Sequence, residues 1–212
     1  MNTQKPKDPY APKKPPKTVV DRRSESERQS DRITAGFKAI DRSSLTVKVP
    51  RFIKAQFMHE TGAATSNVFV ENNNMFGMKC AIYRTYYQDG CRPNGYANYS
   101  SYERSVQDLN NWIDNALQRE AQNRLTGQNV SIGQSPLQGI SSNTAMNPFG
   151  GFLGNITVAP NQKLINDEIS VIVAELEAGT VADYARFLSN QGYFTDSLSN
   201  YTNGLQAWIT KV

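Results

Sequence analysis

The chain has 212 residues, 38% of them hydrophobic, with ten prolines, fourteen glycines and a formal net charge of +4. This suits one globular domain carrying irregular segments and excludes an ordinary two-domain enzyme. No run approaches the roughly 18 consecutive apolar residues of a membrane-spanning helix, and two cysteines with one histidine exclude a disulfide framework or a Cys/His zinc site, so neither metal nor cofactor is expected.

The charge is unevenly placed. Residues 1–32 hold nine Lys or Arg against five acids, while the remainder holds fourteen of each sign. Half of the prolines (Pro6, Pro9, Pro12, Pro15, Pro16) also fall there, among few apolar residues, so residues 1–32 are expected to be a disordered basic arm. Such an arm reads as a docking element for an acidic or protein partner or, more plainly, as a solvated tether. Its opening stretch, MNTQKPKDPYAPKKPPK, has no apolar core of a signal peptide, so the expectation is a protein made in the cytoplasm that reaches its target by another route.

A globular domain is expected over residues 33–212. ITAGFKAI can make two helical turns, and Pro50 sits where a helix favours its first-turn proline. In RFIKAQFMHETG, Ile53, Phe57 and Glu60 share one helical face, and Gly62 offers a stop. The stretch from Tyr83 to Tyr99, rich in Tyr, Gly and Asn, reads as a compact loop or small β-excursion. Cys80 and Cys91 flank it; they would staple it in an oxidising compartment and be ordinary partly buried thiols otherwise. Ser100 with Glu103 has capping-box spacing, and Val106, Leu109, Ile113, Ala116 and Leu117 predict an amphipathic helix to about Gln122. Residues 124–160, including MNPFGGFLGNI, read as a long inserted loop that could pack locally or touch a neighbour. Three helices are then expected, marked by Ile165 to Leu176, by Thr180 and Asp183 before Tyr184, and by Leu198 to Trp208.

The candidate for chemistry is Glu60. A carboxyl group on an apolar stripe at a helix C-terminus is disfavoured as an anion by desolvation and by the helix dipole, so its pKa should rise. A raised-pKa carboxylic acid opening into a cleft is what protonating a glycosidic oxygen near neutral pH requires. His59 is a poor base for it, because adjacent helical residues point about 100° apart.

FMHETG followed by ENNNMFGMK resembles the glucosaminidase family of peptidoglycan hydrolases, glycoside hydrolase family 73. Tyr96, Tyr99, Ser101 and Ser105 in GYANYSSYERS are similar to the family's aromatic-x-x-Tyr-x-Ser-x-x-x-Ser block, with Asp108 where the following helix carries Asp. GYFTD followed by Tyr201 resembles its Gly-Tyr-Ala-Thr-Asp…Tyr signature. The resemblance implies a mainly helical, lysozyme-like α+β fold with a reduced β-lobe. It also implies cleavage of the β-1,4 bond between N-acetylglucosamine and N-acetylmuramic acid. Carried over, it makes Glu60 the general acid and Tyr193 its supporting tyrosine, with Asn74 and Phe76 shaping the cleft floor. Tyr99 would line the sugar groove, and Tyr201 completes the substrate-binding set, the plainer reading of Phe76, Tyr99 and Tyr201 being packing residues.

Two departures stand out. Asp89 is the sole acid between Lys79 and the aromatic-Tyr-Ser block, and therefore the sole local candidate for a base or oxocarbenium-stabilising carboxylate, its plainer reading being a turn residue before Gly90. Without a second carboxylate, the substrate's own 2-acetamido group would serve as nucleophile. The large aromatic residue usual after the catalytic helix is replaced by Ala63 and Ala64. The expected partner is the peptidoglycan glycan strand, with virion or tail proteins as docking partners for residues 1–32 and 124–160 if a phage particle delivers the enzyme. The rival expectation keeps the fold without the chemistry, as an inactive virion structural protein; specific nucleic-acid binding is not expected from so diluted a basic charge.

Overall fold

The structure is a computed structural model and describes residues 21–81, 87–131 and 161–212, with side chains to residue 127 in the second stretch. The proline-rich part of the arm and the MNPFGGFLGNI segment lie outside the described residues. The described elements are α1 (Glu25–Arg42), α2 (Pro50–Glu60), α3 (Asn67–Asn72), β1 (Gly90–Cys91), β2 (Ala97–Asn98), α4 (Tyr102–Ser131), α5 (Gln162–Ala178), α6 (Val181–Asn190) and α7 (Leu198–Ile209). The architecture is α+β and mainly helical, as expected.

Helix α2 begins at Pro50, whose fixed φ suits the first turn and whose missing N–H costs nothing there. Its buried face carries Ile53, Gln56 and Phe57 into the core between α1 and α7. Phe57 is fully buried, with Phe37 of α1 and Phe69 of α3 edge-on at 6.1 and 5.2 Å. On the other side, α7 approaches so closely that a Cβ on Gly204 would stand 2.2 Å from the His59 ring. Helix α4 packs on α5 and α1, burying Val106, Leu109, Ile113, Ala116 and Leu117, the stripe read from the sequence.

The small lobe is a two-stranded antiparallel sheet with Gly90 opposite Asn98 and Cys91 opposite Ala97. Cys80 and Cys91 form a disulfide. The buried Asn74 ties this lobe to the body. Its Nδ2 donates to the carbonyls of Met78 and Ala97 at 2.9 and 3.0 Å, and its Oδ1 accepts from Met78 N–H at 2.9 Å. Tyr99, 1% exposed, donates its hydroxyl to Asp108 on α4 at 2.6 Å.

Four boundaries differ from the expectations. The predicted arm of residues 1–32 overlaps α1, which starts at Glu25 behind a Ser24/Glu27 capping box. Few apolar residues mark those first turns because polar anchors hold them: Glu25 pairs with Arg28 and Arg32, while Gln29 and Arg32 donate to the carbonyls of Ala63 and Ala64. Helix α4 continues to Ser131, through the predicted start of the insertion, with Arg124 paired to Glu120 and to Glu168 and Glu175 of α5. Its first-turn side-chain acceptor is Ser101, bonded by Arg104 N–H, and not Ser100. The six-residue α3, capped by Ser66, was not anticipated, since two turns leave too little periodicity to read.

Candidate active site

Helix α2 stops at Glu60 because the next residues turn left-handed. Thr61 folds its hydroxyl back onto the Phe57 carbonyl at 2.7 Å, and Gly62, Ala63 and Ala64 all have positive φ, at 55°, 58° and 63°. For the two alanines this conformation costs about 1–2 kcal/mol each. The turn is held from several sides: Ala63 N–H donates to Met58 O at 2.8 Å, Ala64 N–H to Thr61 Oγ1 at 2.9 Å, and Gln29 and Arg32 of α1 take the outward carbonyls. A segment expected to be a free arm therefore supports the turn that follows Glu60.

The Glu60 carboxyl group is partly buried, and its two oxygens meet different surroundings. Oε1 accepts the Tyr201 hydroxyl at 2.7 Å. Oε2 lies beside the bare Cα of Gly77, where an added Cβ would stand 3.3 Å away. Burial raises the pKa above the ordinary carboxylate value, and the Tyr201 hydrogen bond partly offsets this by favouring the anion. With Oε1 occupied by the Tyr201 donor, Oε2, the oxygen facing the glycine, is the one left open to carry a proton.

Tyr201 is itself fixed by packing, stacked on Phe194 at 3.8 Å and edge-on to His59 at 5.1 Å. Tyr193 donates its hydroxyl to the Phe76 carbonyl at 2.6 Å and meets Trp112 of α4 edge-on at 5.0 Å. Tyr184 of α6 donates to Gln56 Oε1 at 2.8 Å. Burial, with the Glu60 charge added, pushes all three phenols well above their ordinary pKa, so each remains a neutral donor across the working pH range. His59 faces α7 and not Glu60, and burial lowers its pKa.

The structure thus brings Glu60, Tyr201, Tyr193 and the Phe76 backbone together, and it places the remaining candidates around them. Asn74, Phe76 and Tyr99 are each 1% exposed, so their side chains shape the floor from beneath and do not offer a sugar-contacting surface. Tyr201, at 3%, reaches the acid and not a groove. The Asp89 carboxylate accepts Ser100 N–H and faces Arg104 Nη1 at 3.7 Å. It fastens the small lobe to α4, and no contact joins it to Glu60. An open hollow of about 500 Å³, bounded by Arg42, Tyr87, Glu103 and Asn110, contains none of the predicted site residues. Among the described residues, no group of His, Cys, Asp and Glu could hold a metal ion, and no helix is long and apolar enough to cross a membrane.

Sequence reasoning missed Gly77, Gln56 and Tyr184. Gln56 carried a signal: it lies one turn before Glu60, on the same face, as a polar residue where an apolar one would continue the stripe. The glucosaminidase family model, described as mannosyl-glycoprotein endo-beta-N-acetylglucosaminidase, matches residues 39–212. No curated protein and no solved structure matches the chain.

Proposed function

The chain belongs to the glucosaminidase family, and on that premise we propose that Glu60 is the general acid of its reaction. The protein is a glycoside hydrolase, an endo-β-N-acetylglucosaminidase with the lysozyme-like fold of its family, and peptidoglycan is the substrate that fits that family. The bond we assign is the β-1,4 link from N-acetylglucosamine to N-acetylmuramic acid. The observation that carries the role of Glu60 is its asymmetric setting, with Oε1 held by Tyr201 and Oε2 beside Gly77 in a site where burial favours the protonated form.

The reaction then runs as follows. Glu60 Oε2 gives its proton to the glycosidic oxygen as the C1–O bond breaks. Tyr201, already donating to Oε1, stabilises the carboxylate left behind. With Asp89 occupied by Ser100 and Arg104, attack at C1 falls to the carbonyl oxygen of the substrate's 2-acetamido group. Glu60, now a base, takes a proton from the water that opens the cyclic intermediate and returns to its starting state. Tyr193 supports the site by holding the Phe76 carbonyl, and hence Gly77, in place.

The test is digestion of purified sacculi by wild type and Glu60→Gln, with mass analysis of the new chain ends. New N-acetylglucosamine reducing ends should appear with wild type and fall by roughly 10²–10⁴ in the variant; undiminished products from Glu60→Gln would sink the assignment. Delivery by a phage particle belongs to the same reading. Its support is compositional: the proline- and lysine-rich segment precedes the family match, and residues 124–160 carry the glycine-, serine- and asparagine-rich sequence of an insertion. Unchanged particle incorporation after deletion of residues 1–20 would refute docking through that segment.

A further inference from the structure

A glycan strand that reaches Glu60 must lie against the side chains around it, and most of the aromatic ones there are closed to it. Phe76 and Tyr99 are each 1% exposed, and Tyr201 is 3% exposed. Tyr193 commits its hydroxyl to the Phe76 carbonyl and its ring to an edge contact with Trp112. The left-handed turn after Glu60 contributes Gly62, Ala63 and Ala64, none of which presents a flat apolar face.

Phe194 is placed differently. Its ring lies flat on Tyr201, with centroids 3.8 Å apart and planes 11° from parallel, and Tyr201 in turn donates to Glu60 Oε1 at 2.7 Å. Phe194 is therefore one ring thickness beyond the phenol that touches the acid. One of its faces is closed by Tyr201, yet the residue is only half-buried, so the surface still open belongs to its outer face and edge. Thr195, Asp196 and Ser197, which follow it, are all exposed, so the ring stands at the solvent boundary of the site.

An outward aromatic face beside a protonated carboxyl group suits a pyranose ring. The axial C–H groups of a β-linked hexosamine form an apolar face that can lie on a π-surface, while the hydroxyl and acetamido groups at its rim keep their hydrogen bonds. Covering Tyr201 needs only an apolar side chain of the right volume. A ring stacked nearly parallel on the phenol adds a second flat surface directed outwards. We propose that Phe194 is a substrate-binding residue: its outer face is the platform on which one N-acetylhexosamine ring of the glycan strand stacks, on the Oε1 side of Glu60. The glycosidic oxygen is then met from the other side, by Oε2 beside Gly77. GYFTD has phenylalanine where the signature it resembles has alanine, so the platform is a feature of this chain. Its location at the reaction centre rests on the reading of Glu60 as the acid.

The test measures binding apart from turnover. An alternating N-acetylglucosamine–N-acetylmuramic acid tetrasaccharide is titrated by calorimetry into Glu60→Gln, and into Glu60→Gln carrying Phe194→Leu or Phe194→Trp. Turnover constants and thermal midpoints are measured for the same Phe194 variants with Glu60 intact. Leucine keeps Tyr201 covered but removes the flat face, so Kd and KM should rise together by roughly threefold to tenfold, the worth of one aromatic contact. The loss should fall on KM and not on kcat, as for an interaction made equally in the ground and transition states. Tryptophan keeps a face and should bind at least as tightly as the parent. Unchanged Kd and KM in Phe194→Leu, or a loss on kcat alone, would overturn the proposal and leave Phe194 as cover for Tyr201. Should Phe194→Leu fail to fold, Phe194→Trp carries the test by fluorescence. Its emission should respond to the tetrasaccharide beyond the response of the parent chain and saturate at the calorimetric Kd; no added response overturns the proposal equally. Turnover by Glu60→Gln sinks the acid assignment instead, while the contribution of Phe194 is still read from KM in the chain with Glu60 intact.

Discussion

Replacing Gly77 by alanine tests the geometry of the acid most directly, because it adds one methyl group at the oxygen said to carry the proton. Gly77 has φ +60°, so alanine there pays about 1–2 kcal/mol for a left-handed backbone. For a protein of this size that corresponds to a fall of roughly 2–8 °C in the unfolding midpoint. The new Cβ would also stand 3.3 Å from Glu60 Oε2, in the approach a glycosidic oxygen must use. Displacing the acceptor by a fraction of an ångström to an ångström costs up to about a hundredfold in rate, far more than so small a loss of stability removes at assay temperature. Gly95 supplies the control: it has φ +78° and nothing within 4 Å of an added Cβ, so Gly95→Ala carries similar backbone strain without touching the acid. The assay pairs thermal unfolding with release of reducing ends from peptidoglycan. Comparable midpoints with activity lost in Gly77→Ala alone is the expected result; a Gly77→Ala enzyme as active as Gly95→Ala would refute the placement of the proton on Oε2.

Tyr201→Phe removes the donor that favours ionised Glu60, so the pKa of the acid should rise further and the alkaline limb of the kcat profile should move to higher pH; a limb displaced to lower pH contradicts the hydrogen-bond assignment. Glu60→Gln should stabilise the fold at neutral pH. The folded pKa of Glu60 lies above its unfolded value, so its contribution is fully favourable below the unfolded pKa and is lost as pH rises through the folded pKa. The midpoint of Glu60→Gln relative to wild type should therefore increase from pH 4 to pH 7, and a constant difference would show that burial does not penalise the anion. Truncation before residue 21 should leave the midpoint unchanged, whereas truncation before residue 33 should lower it and reduce activity, since it removes the Gln29 and Arg32 bonds to the turn after Glu60; equal behaviour of the two truncations would refute that support.

Local patterns made most of the fold legible. Ile53, Phe57 and Glu60 at helical spacing gave α2 its face, and Thr180 with Asp183 forms the predicted reciprocal cap on α6. Where polar anchors replaced apolar periodicity, the reading stopped short, as in the first turns of α1 and the last turns of α4. The site divided in the same way. Glu60 stood out because a carboxylate on an apolar stripe is locally anomalous. Phe76, Tyr99 and Tyr201 stayed open between packing and sugar contact because an aromatic side chain that props up a cleft from below has the same letter as one that lines it. Gln56 and Tyr184 meet across 128 positions of sequence, and Tyr201 reaches Glu60 across 141, so no local pattern records either pairing.

Those long-range bonds also explain why the acid sits on a layer that is expensive to bury. Three phenols and one amide lie beneath Glu60, from α2, α6, α7 and the segment before α7, where apolar side chains would pack without any hydrogen-bonding requirement. Phenols with raised pKa values supply donors that do not titrate in the range where the carboxyl group must. They can therefore hold Oε1 and the Phe76 carbonyl fixed while Glu60 alone exchanges its proton. Charged donors in the same positions would favour the anion too strongly and lower the pKa that burial raises. A neutral polar floor is thus the arrangement that orients the carboxyl group without undoing the upward shift that burial gives it. Its separate attachments to four parts of the fold mean that loosening any one of them should appear first in kcat, before it appears in binding.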